Sequence, residues 1–242
     1  MTKNYGHRGF SGKYPENTML AFRKAIEVGV DGIELDVQLS RDGEVVICHD
    51  ETVDRTTNGK GEIRSMTLAE LKRLDASFLF TGQYGFNEIP TLREYFELVK
   101  ELPIETNVEL KTGIYEYEGI EEKVWALIQE FHLQDRICIS SFNHFSVLRM
   151  QKIAPCLKFG FLFDTWLIDA GAYCKKYGMD SFHPNYHNLT HEVVAEVKGN
   201  GLEIKTYTVN SEEAVRDLAS KGVDVVIGNY PDMVKKVLSS MQ

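Results

Sequence analysis

Short apolar segments alternate with stretches of helical periodicity along almost the whole chain, and this alternation restricts the fold more than any other feature of the sequence. Strand–helix alternation of this kind is typical of a parallel sheet covered by helices. The chain has 242 residues, close to the roughly 250 residues of one (β/α)₈ barrel. We therefore predict an α/β fold, a TIM-type (β/α)₈ barrel, that forms a single domain over residues 1–242.

The predicted strands are short apolar runs, and the predicted helices have apolar residues at a 3.6-residue period. The strands are residues 4–8, 32–37, 45–49, 106–111, 137–142, 158–163, 180–184, 203–209 and 224–228. The helices lie near residues 17–28, 91–101, 117–131, 143–153, 168–177, 190–199, 211–220 and 231–240. Gly29 is the expected stop of the first helix, because glycine readily adopts the left-handed conformation at a helix end. Since a barrel has eight strands, one of the nine candidates is not a strand or lies outside the barrel.

A short sequence pattern is repeated before three of the candidate strands. The segments are Gly29-Val30-Asp31, Gly178-Met179-Asp180 and Gly222-Val223-Asp224, and each has the pattern of a helix end followed by a tight turn. Three copies favour a repeated βα unit. Alignment of the three repeats also places Glu34 and His183 at the same depth in the barrel, near the C-terminal strand ends where TIM barrels carry their active sites.

The connection between residues 32–37 and 45–49 contains no predicted helix. Residues 41–44 are typical of a hairpin turn, but a hairpin would carry His49 to the end of the sheet opposite Asp36. The residues 37–44 can span roughly 26 Å when extended, which is enough for the chain to return along the outside. We favour the outside return because it keeps both side chains at one end of the barrel.

Residues 50–90 interrupt the alternation. They contain Thr56-Thr57-Asn58-Gly59-Lys60-Gly61, a short helix near residues 68–74, and Gly82-Gln83-Tyr84-Gly85. A segment of about 40 residues is too long for a simple connection between barrel elements. We predict a small inserted subdomain after the third strand, over the active-site face; the alternative is a flexible excursion without function.

Two carboxylates share one face of a strand in Glu34-Leu35-Asp36, because side chains alternate with a period of two. On another strand Glu109 stands two residues before Lys111. Exposure on a surface would explain such a pattern, but the core of a barrel strand has no solvent face. Three carboxylates in a barrel mouth are costly without a cation, and oxygen ligands suit Mg²⁺ or Ca²⁺ better than Zn²⁺. The sequence therefore predicts a divalent-cation site at these carboxylates.

Two histidines end candidate strands, in His7-Arg8-Gly9 and His49-Asp50. A lone histidine is more often structural, but two at the ends of barrel strands are suited to a general acid and general base pair, because imidazole titrates near neutral pH. The guanidinium of Arg8 offers a planar fork of donors for phosphate oxygens. Lys111 could stabilise an oxyanion on phosphorus, and an ion pair with Glu109 or Glu34 is compatible with that role.

Charge and cysteine usage limit the class of protein. The net charge of −9 disfavours a nucleic-acid partner, because the whole-molecule field repels anions. The cysteines (Cys48, Cys138, Cys156 and Cys174) form no C-x-x-C pair and indicate a reduced, cytoplasmic protein. The first residues lack the apolar core of a signal peptide, and no apolar run of about 18 residues predicts a membrane span. We expect a cytoplasmic enzyme with a small-molecule substrate; the sequence leaves its oligomeric state open.

An ordered set of motifs resembles the glycerophosphodiester phosphodiesterase (GDPD) family from about residue 5 to residue 235. The motifs are His7-Arg8-Gly9, Pro15-Glu16-Asn17-Thr18, Glu34-Leu35-Asp36-Val37, His49-Asp50, Glu109-Leu110-Lys111, Ser141-Phe142 and Thr208-Val209-Asn210. Each motif alone is weak, but their order around the 50–90 insertion is specific.

The resemblance implies a TIM barrel that hydrolyses glycerophosphodiesters to glycerol 3-phosphate and an alcohol. It implies that Glu34, Asp36 and Glu109 bind a divalent cation, and that His7 and His49 are the acid–base pair. It further implies the contacts of the remaining motif residues. Arg8 and Lys111 would contact the phosphate, and Glu16 and Asn17 would shape the first loop of the site.

Two positions depart from the family pattern, and one further contact is predicted. The family often has Trp where this chain has Tyr207, next to the expected substrate, which affects substrate preference. The last strand often ends in Thr-Asp-x-Pro, whereas this chain has Gly228-Asn229-Tyr230-Pro231 and keeps only a neutral hydrogen-bonding group at the second position. His183 is predicted to add a polar substrate contact at the rim.

Three alternative functions share this fold. A lysophospholipase D-type lipid phosphodiesterase would need an apolar slot, for which Phe78-Leu79-Phe80 and Phe161-Leu162-Phe163 are candidates. A catalytically silent binding module would not need the full set of histidines and carboxylates. A metal-dependent sugar isomerase or aldolase explains Arg8 and the paired histidines less well, and a fold alone does not fix function.

Overall fold

Eight parallel strands form a closed barrel in the computed structural model, which describes residues 1–241. Residues 1–241 contain nine strands, and all of them except β3 belong to the barrel. They are β1 (Lys3–His7), β2 (Gly32–Leu39), β3 (Val45–Ile47), β4 (Glu105–Leu110), β5 (Ile137–Ser141), β6 (Lys158–Phe163), β7 (Ser181–Pro184), β8 (Glu203–Thr206) and β9 (Val225–Gly228). The barrel order is β1, β2, β4, β5, β6, β7, β8, β9, and β9 pairs with β1. The predicted TIM-type (β/α)₈ barrel is confirmed.

Helices cover the outside of the barrel between successive strands. They are α1 (Met19–Val28), α2 (Leu68–Leu71), α3 (Leu92–Val99), α4 (Ile120–Glu130), α5 (His144–Ile153), α6 (Ala170–Lys176), α7 (His191–Gly199), α8 (Glu212–Ser220) and α9 (Pro231–Ser239). Local signals set their ends: the Thr18 side chain caps α1, and Gly29 ends it at φ 79°. None of the helices described is both long enough and apolar enough to cross a membrane.

The two faces of each barrel strand have different surroundings. On β2, the side chains of Ile33, Leu35 and Val37 belong to the large apolar core that also contains residues of the surrounding helices. In that core the rings of Phe22 in α1 and Tyr95 in α3 are 4.8 Å apart in an edge-to-face arrangement. Because side chains alternate along a strand, Glu34 and Asp36 point into the barrel.

Strand β3 lies outside the barrel and pairs antiparallel with β2, with Val37 opposite Ile47 and Leu39 opposite Val45. The predicted return along the outside is therefore wrong, and the connection is a hairpin. The expected separation of His49 from Asp36 does not occur because β2 continues three residues beyond Asp36 before the chain turns back. The amide of Cys48 donates to the carbonyl of Asp36 at 3.0 Å, so the returning chain brings His49 back to the level of the carboxylates.

Residues 50–90 contain α2 and two short 3₁₀ turns, Ile63–Ser65 and Phe78–Phe80. A separate buried cluster holds this insertion together, formed by Val46, Cys48, Val53, Ile63, Leu71, Ala76 and Ile89. Arg41 in the hairpin lies 3.2 Å from Glu70 in the insertion. Near its end, the hydroxyl of Tyr84 donates to the carbonyl of Lys13 in the loop after β1. That the insertion covers the active-site face as a subdomain remains a prediction.

The interior of the barrel leaves no room for a side chain at Gly160 in β6. A Cβ atom there would lie 2.2 Å from His183 Nε2 and 2.6 Å from Ser181 Oγ, and both side chains are fully buried. We expect Gly160→Ala to lower the free energy of unfolding by about 1–3 kcal/mol through overpacking. Urea unfolding measures this effect. The matched control is Gly199→Ala in α7, where an added Cβ meets nothing within 4 Å; a stable Gly160→Ala variant would contradict the packing argument.

Candidate active site

A cavity of about 140 Å³ opens at the C-terminal ends of the barrel strands. Its lining consists of His7, Arg8, Glu34, His49, Asn107, Glu109, Phe142, Leu162, Tyr207, Thr208 and Ile227. Charged and polar groups come from β1, β2, β4 and the segment after β3. Apolar groups come from β6 and β9 and from the segments that follow β5 and β8. One small volume therefore has a charged wall and an apolar wall.

Three buried carboxylates form the centre of the charged wall. Glu34, Asp36 and Glu109 each place an oxygen within 4.8 Å of the other two. The register of the sheet explains this convergence, because Glu34 and Asp36 alternate along β2 and Asp36 lies opposite Glu109 of β4. The residues are only 4%, 1% and 8% exposed, respectively. The three carboxylates predicted from sequence are therefore brought together.

Two cations accompany the carboxylates. Lys111 Nζ lies 3.0 Å from Glu109 Oε1 and 3.8 Å from Asp36 Oδ1. Arg8 Nε lies 3.4 Å from Asp36 Oδ2, and the Arg8 amide donates to Glu34 Oε2 at 3.0 Å. Of the two partners expected for Lys111, Glu109 forms the ion pair, and Asp36 is an additional partner that was not expected. Three carboxylates face two cations, which leaves one negative charge without a partner.

The charge imbalance shifts the pKa values of the carboxyl groups in different directions. Burial, together with the charges of Asp36 and Glu109, raises the pKa of Glu34 well above its usual value. Burial also raises the pKa of Glu109, against the attraction of Lys111. At Asp36 burial again opposes ionisation, but Arg8, Lys111 and His49 together lower the pKa below its usual value. The cluster is strained by like charges unless further positive charge is present.

These groups fit a divalent cation. Asp36 Oδ1 is buried and has no hydrogen-bond partner among residues 1–241. One carboxylate oxygen of the cluster therefore accepts no hydrogen bond. Carboxylate oxygens are the donors that Mg²⁺ and Ca²⁺ prefer. A bound cation would also relieve the repulsion between Glu34 and Glu109.

Each of the two histidines has a different hydrogen-bond partner. His7 Nδ1 lies 2.6 Å from Asn229 Oδ1, and His7 Nε2 lies 3.9 Å from Glu34 Oε2. Burial, reinforced by the nearby charge of Arg8, lowers the pKa of His7 to about 4. His49 Nδ1 lies 2.6 Å from Asp50 Oδ1. The imidazole of His7 is therefore hydrogen-bonded to a neutral amide, and that of His49 to a carboxylate.

Glu16 and Asn17, in the loop after β1, support this arrangement and are not part of the cavity lining. Asn17, which is 4% exposed and has φ 55°, donates to Asp36 Oδ2 at 2.8 Å. Glu16 accepts a hydrogen bond from Arg8 Nη1 at 2.8 Å. Both residues hold other groups of the predicted site in place, which agrees with a role in shaping the first loop.

Two predicted substrate contacts have different outcomes. Tyr207 lines the cavity, with its hydroxyl donating to the carbonyl of Phe163 and its ring edge-to-face with Phe142 at 6.1 Å. His183 does not reach the rim: it is fully buried, its Nε2 lies 2.7 Å from Ser181 Oγ, and it is not part of the cavity lining. The predicted rim contact of His183 is therefore corrected to a position inside the barrel.

Sequence reasoning missed residues that fix the position of His49. Gln38 in β2 is buried, and its amide nitrogen donates to the carbonyls of Cys48 and Asp50 at 2.8 and 2.7 Å. Arg55 in the insertion binds both Asp50 and Glu16. Gln38 lies two residues after Asp36 on the same face of β2, so the polar alternation of that strand was an available signal. The pairing of Arg55 has no signal in the local sequence.

Comparison with known sequences decides the family. A sequence model of the "Glycerophosphoryl diester phosphodiesterase family" matches residues 7–233. The chain belongs to this family. The resemblance inferred from the motifs is thereby confirmed.

Individual GDPD-family relatives match over nearly their whole length. The chain is 44% identical over 226 residues to a "Glycerophosphodiester phosphodiesterase" of Caldanaerobacter subterraneus, covering 93% of both chains. It is 42% identical over 245 residues to a protein of the same name from Bacillus altitudinis, covering 100% of both. A solved structure of an Oleispira antarctica phosphodiesterase in complex with its product sn-glycerol-3-phosphate is 30% identical, with a TM-score of 0.88 over 99% of this chain and 97% of that one.

Proposed function

We propose that the chain hydrolyses glycerophosphodiesters to sn-glycerol 3-phosphate and an alcohol, with the help of a divalent cation and a histidine acid–base pair. The observation that carries this proposal is the convergence of three carboxylates, two cations and two histidines around one cavity. The product described for the Oleispira antarctica relative and the names of the bacterial relatives support the same reaction.

The cation is proposed to bind Glu34, Asp36 and Glu109, where Mg²⁺ and Ca²⁺ both match the oxygen donors. Once bound, it would neutralise phosphodiester charge and favour attack at phosphorus. The protein supplies further positive charge itself. Arg8 lines the cavity, and its guanidinium is proposed to donate to a phosphate oxygen. Lys111 on the other side is proposed to stabilise the charge that develops on the phosphoryl oxygens.

The partners of the histidines suggest their roles. Asn229 Oδ1 can only accept, so His7 Nδ1 donates to it and His7 Nε2 keeps its lone pair. His7 is therefore proposed to remove the proton of the nucleophile, which is water or the glycerol 2-hydroxyl. The carboxylate of Asp50 accepts from His49 Nδ1, which fixes the direction of His49 Nε2. As the new P–O bond forms and the old one breaks, His49 is proposed to give its proton to the leaving alkoxide.

One observation favours a second candidate substrate class, a lipid phosphodiester of the lysophospholipase D type. The two segments proposed from sequence do not form a slot. Phe161 and Phe163 are buried in the apolar core and only Leu162 lines the cavity. None of the residues 78–80 is part of the cavity lining. Instead, large apolar residues are exposed on the loops that follow β4 and β6 and on the segment that leads from β5 into α5. They are Ile114, Phe142, Phe145, Trp166 and Ile168. These loops are neighbours at the apolar wall of the cavity, where an alkyl group could leave the site.

Release of sn-glycerol 3-phosphate tests the proposed function. We expect glycerophosphocholine and related glycerophosphodiesters to be hydrolysed with added Mg²⁺ or Ca²⁺. Absence of product from every glycerophosphodiester with both cations would refute the proposal. Lysophosphatidylcholine in the same assay, with Phe145→Ser and Trp166→Ser variants, separates the candidates: a lipid substrate should lose rate in these variants, whereas glycerophosphocholine should not.

The proposed location is cytoplasmic. Three of the cysteines are buried and all four are free thiols in the structure, which is compatible with a reducing compartment. The proposed partner is a small-molecule substrate.

A further inference from the structure

The side chain of Arg55, in the insertion, joins two carboxylates that lie far apart in sequence. Its Nη1 and Nη2 donate to Glu16 Oε2 and Oε1 at 2.9 and 2.7 Å. Its Nε and Nη2 donate to Asp50 Oδ2 and Oδ1 at 2.7 and 3.0 Å. A guanidinium can bind two carboxylates in this way because its donors lie in one rigid plane.

Each of these carboxylates holds a different side chain of the site. Asp50 binds Nδ1 of His49 at 2.6 Å. Glu16 binds Nη1 of Arg8 at 2.8 Å. Arg55 does not line the cavity, and its side chain is 44% exposed. It is therefore placed to act on the site only through its two partners.

We propose that Arg55 is a positioning residue that fixes the orientation of His49 through Asp50 and of Arg8 through Glu16, and so couples the insertion to catalysis. This inference rests on the proposed function. Without Arg55, Asp50 and Glu16 lose their common counter-charge and are free to turn. Glu16 would then compete more strongly for Arg8, and His49 would lose its fixed direction towards the leaving group.

The competing explanation is that Arg55 merely anchors the insertion to the barrel. Arg41 provides the matched control, because it joins the hairpin to the insertion through Glu70 at 3.2 Å and the carbonyl of Ser65 at 3.1 Å. It makes no contact with the groups of the site. A purely structural role predicts similar consequences for Arg55→Met and Arg41→Met.

The test compares Arg55→Met, Arg55→Lys and Arg41→Met on two substrates. One is glycerophosphocholine, whose alkoxide needs a proton; the other is a p-nitrophenyl phosphodiester, whose phenolate leaves without one. Partners that orient the histidine ligands of metal ions typically contribute 10- to 100-fold. We expect an effect at the low end of that range for a histidine held through Asp50, so Arg55→Met should lower kcat on glycerophosphocholine on the order of tenfold and raise KM for both substrates. The kcat on the p-nitrophenyl substrate should change less. Arg55→Lys should restore part of the loss, and Arg41→Met should resemble the wild type.

A readout that does not need turnover keeps this inference separate from the proposed function. The side-chain NMR signals of His49, assigned by comparison with His49→Ala, should shift in Arg55→Met and stay in place in Arg41→Met. In an Asp50→Asn background, Arg55→Met should have little further effect on those signals, because the two residues act in series. Unchanged His49 signals in Arg55→Met, or equal kcat losses on both substrates, would overturn the assignment even if the wild type hydrolyses glycerophosphodiesters.

Discussion

Replacement of His49 by alanine should lower the rate of glycerophosphocholine hydrolysis by on the order of 10²–10⁴, the usual contribution of a positioned acid or base. The expected loss follows from the proposed role of His49 as the proton donor to an alkoxide leaving group, with its ring oriented by the hydrogen bond from Nδ1 to Asp50. A phosphodiester with a p-nitrophenyl leaving group should lose much less, because its phenolate leaves unprotonated. Steady-state rates on both substrates measure the difference.

His7 should behave differently in the same experiment. Since its neutral partner Asn229 leaves Nε2 as a proton acceptor, His7→Ala should lower the rate on both substrates by a similar factor. His191→Ala is the control, because this histidine is exposed at the start of α7. Circular dichroism of each variant checks that folding is intact. Wild-type rates in both His7→Ala and His49→Ala would exclude the acid–base pair, and a reversed pattern would exchange the two roles.

Removal of the divalent cation should abolish activity, and Glu34→Gln should raise the metal concentration for half-maximal activity by on the order of 100-fold. The reason is the loss of one oxygen ligand and of its full charge, and both strongly affect affinity for hard cations.

The same substitution should stabilise the metal-free protein, although it weakens metal binding. Burial and like charges raise the pKa of Glu34, so its ionised form destabilises the metal-free fold, and Glu34→Gln should unfold at a higher urea concentration than the wild type in chelator.

Thermal unfolding with and without Mg²⁺ or Ca²⁺ completes this test. A cation that binds the folded state should raise the Tm of the wild type and have a much smaller effect on Glu34→Gln. The exposed Glu97 provides a control substitution to Gln. An enzyme that keeps full activity in EDTA, after extensive dialysis against it, would contradict the cation site.

Most elements of the barrel could be predicted from the sequence because their signals are local. The helices have a strong 3.6-residue period and capping residues such as Thr18, and the inward carboxylates follow from the alternation of β2. The path from Asp36 to His49 could not be predicted, because it depends on how far β2 extends and with which strand β3 pairs. Both are properties of the folded sheet.

Depth inside the barrel was equally hard to predict. Alternation indicates that His183 points inward, but not that β7 ends one residue later, at Pro184, with that side chain packed against Ser181 and the space left by Gly160. The bonds of Arg55 join residues 39 positions apart in the case of Glu16. Neither relation leaves a periodic or short-range pattern in the sequence.

The hairpin of β2 and β3 should tolerate insertions and deletions in its turn much better than in its paired strands. The position of His49 beside the carboxylates depends on the number of residues in the antiparallel ladder of β2 and β3, which begins at the pair Leu39–Val45. One residue inserted within that ladder would reverse the faces of the side chains that follow it and put Cys48 in the place of His49, and one residue deleted would put Asp50 there. Residues 40–44 form the turn beyond the ladder, so evolution can lengthen or shorten the chain there without moving the site.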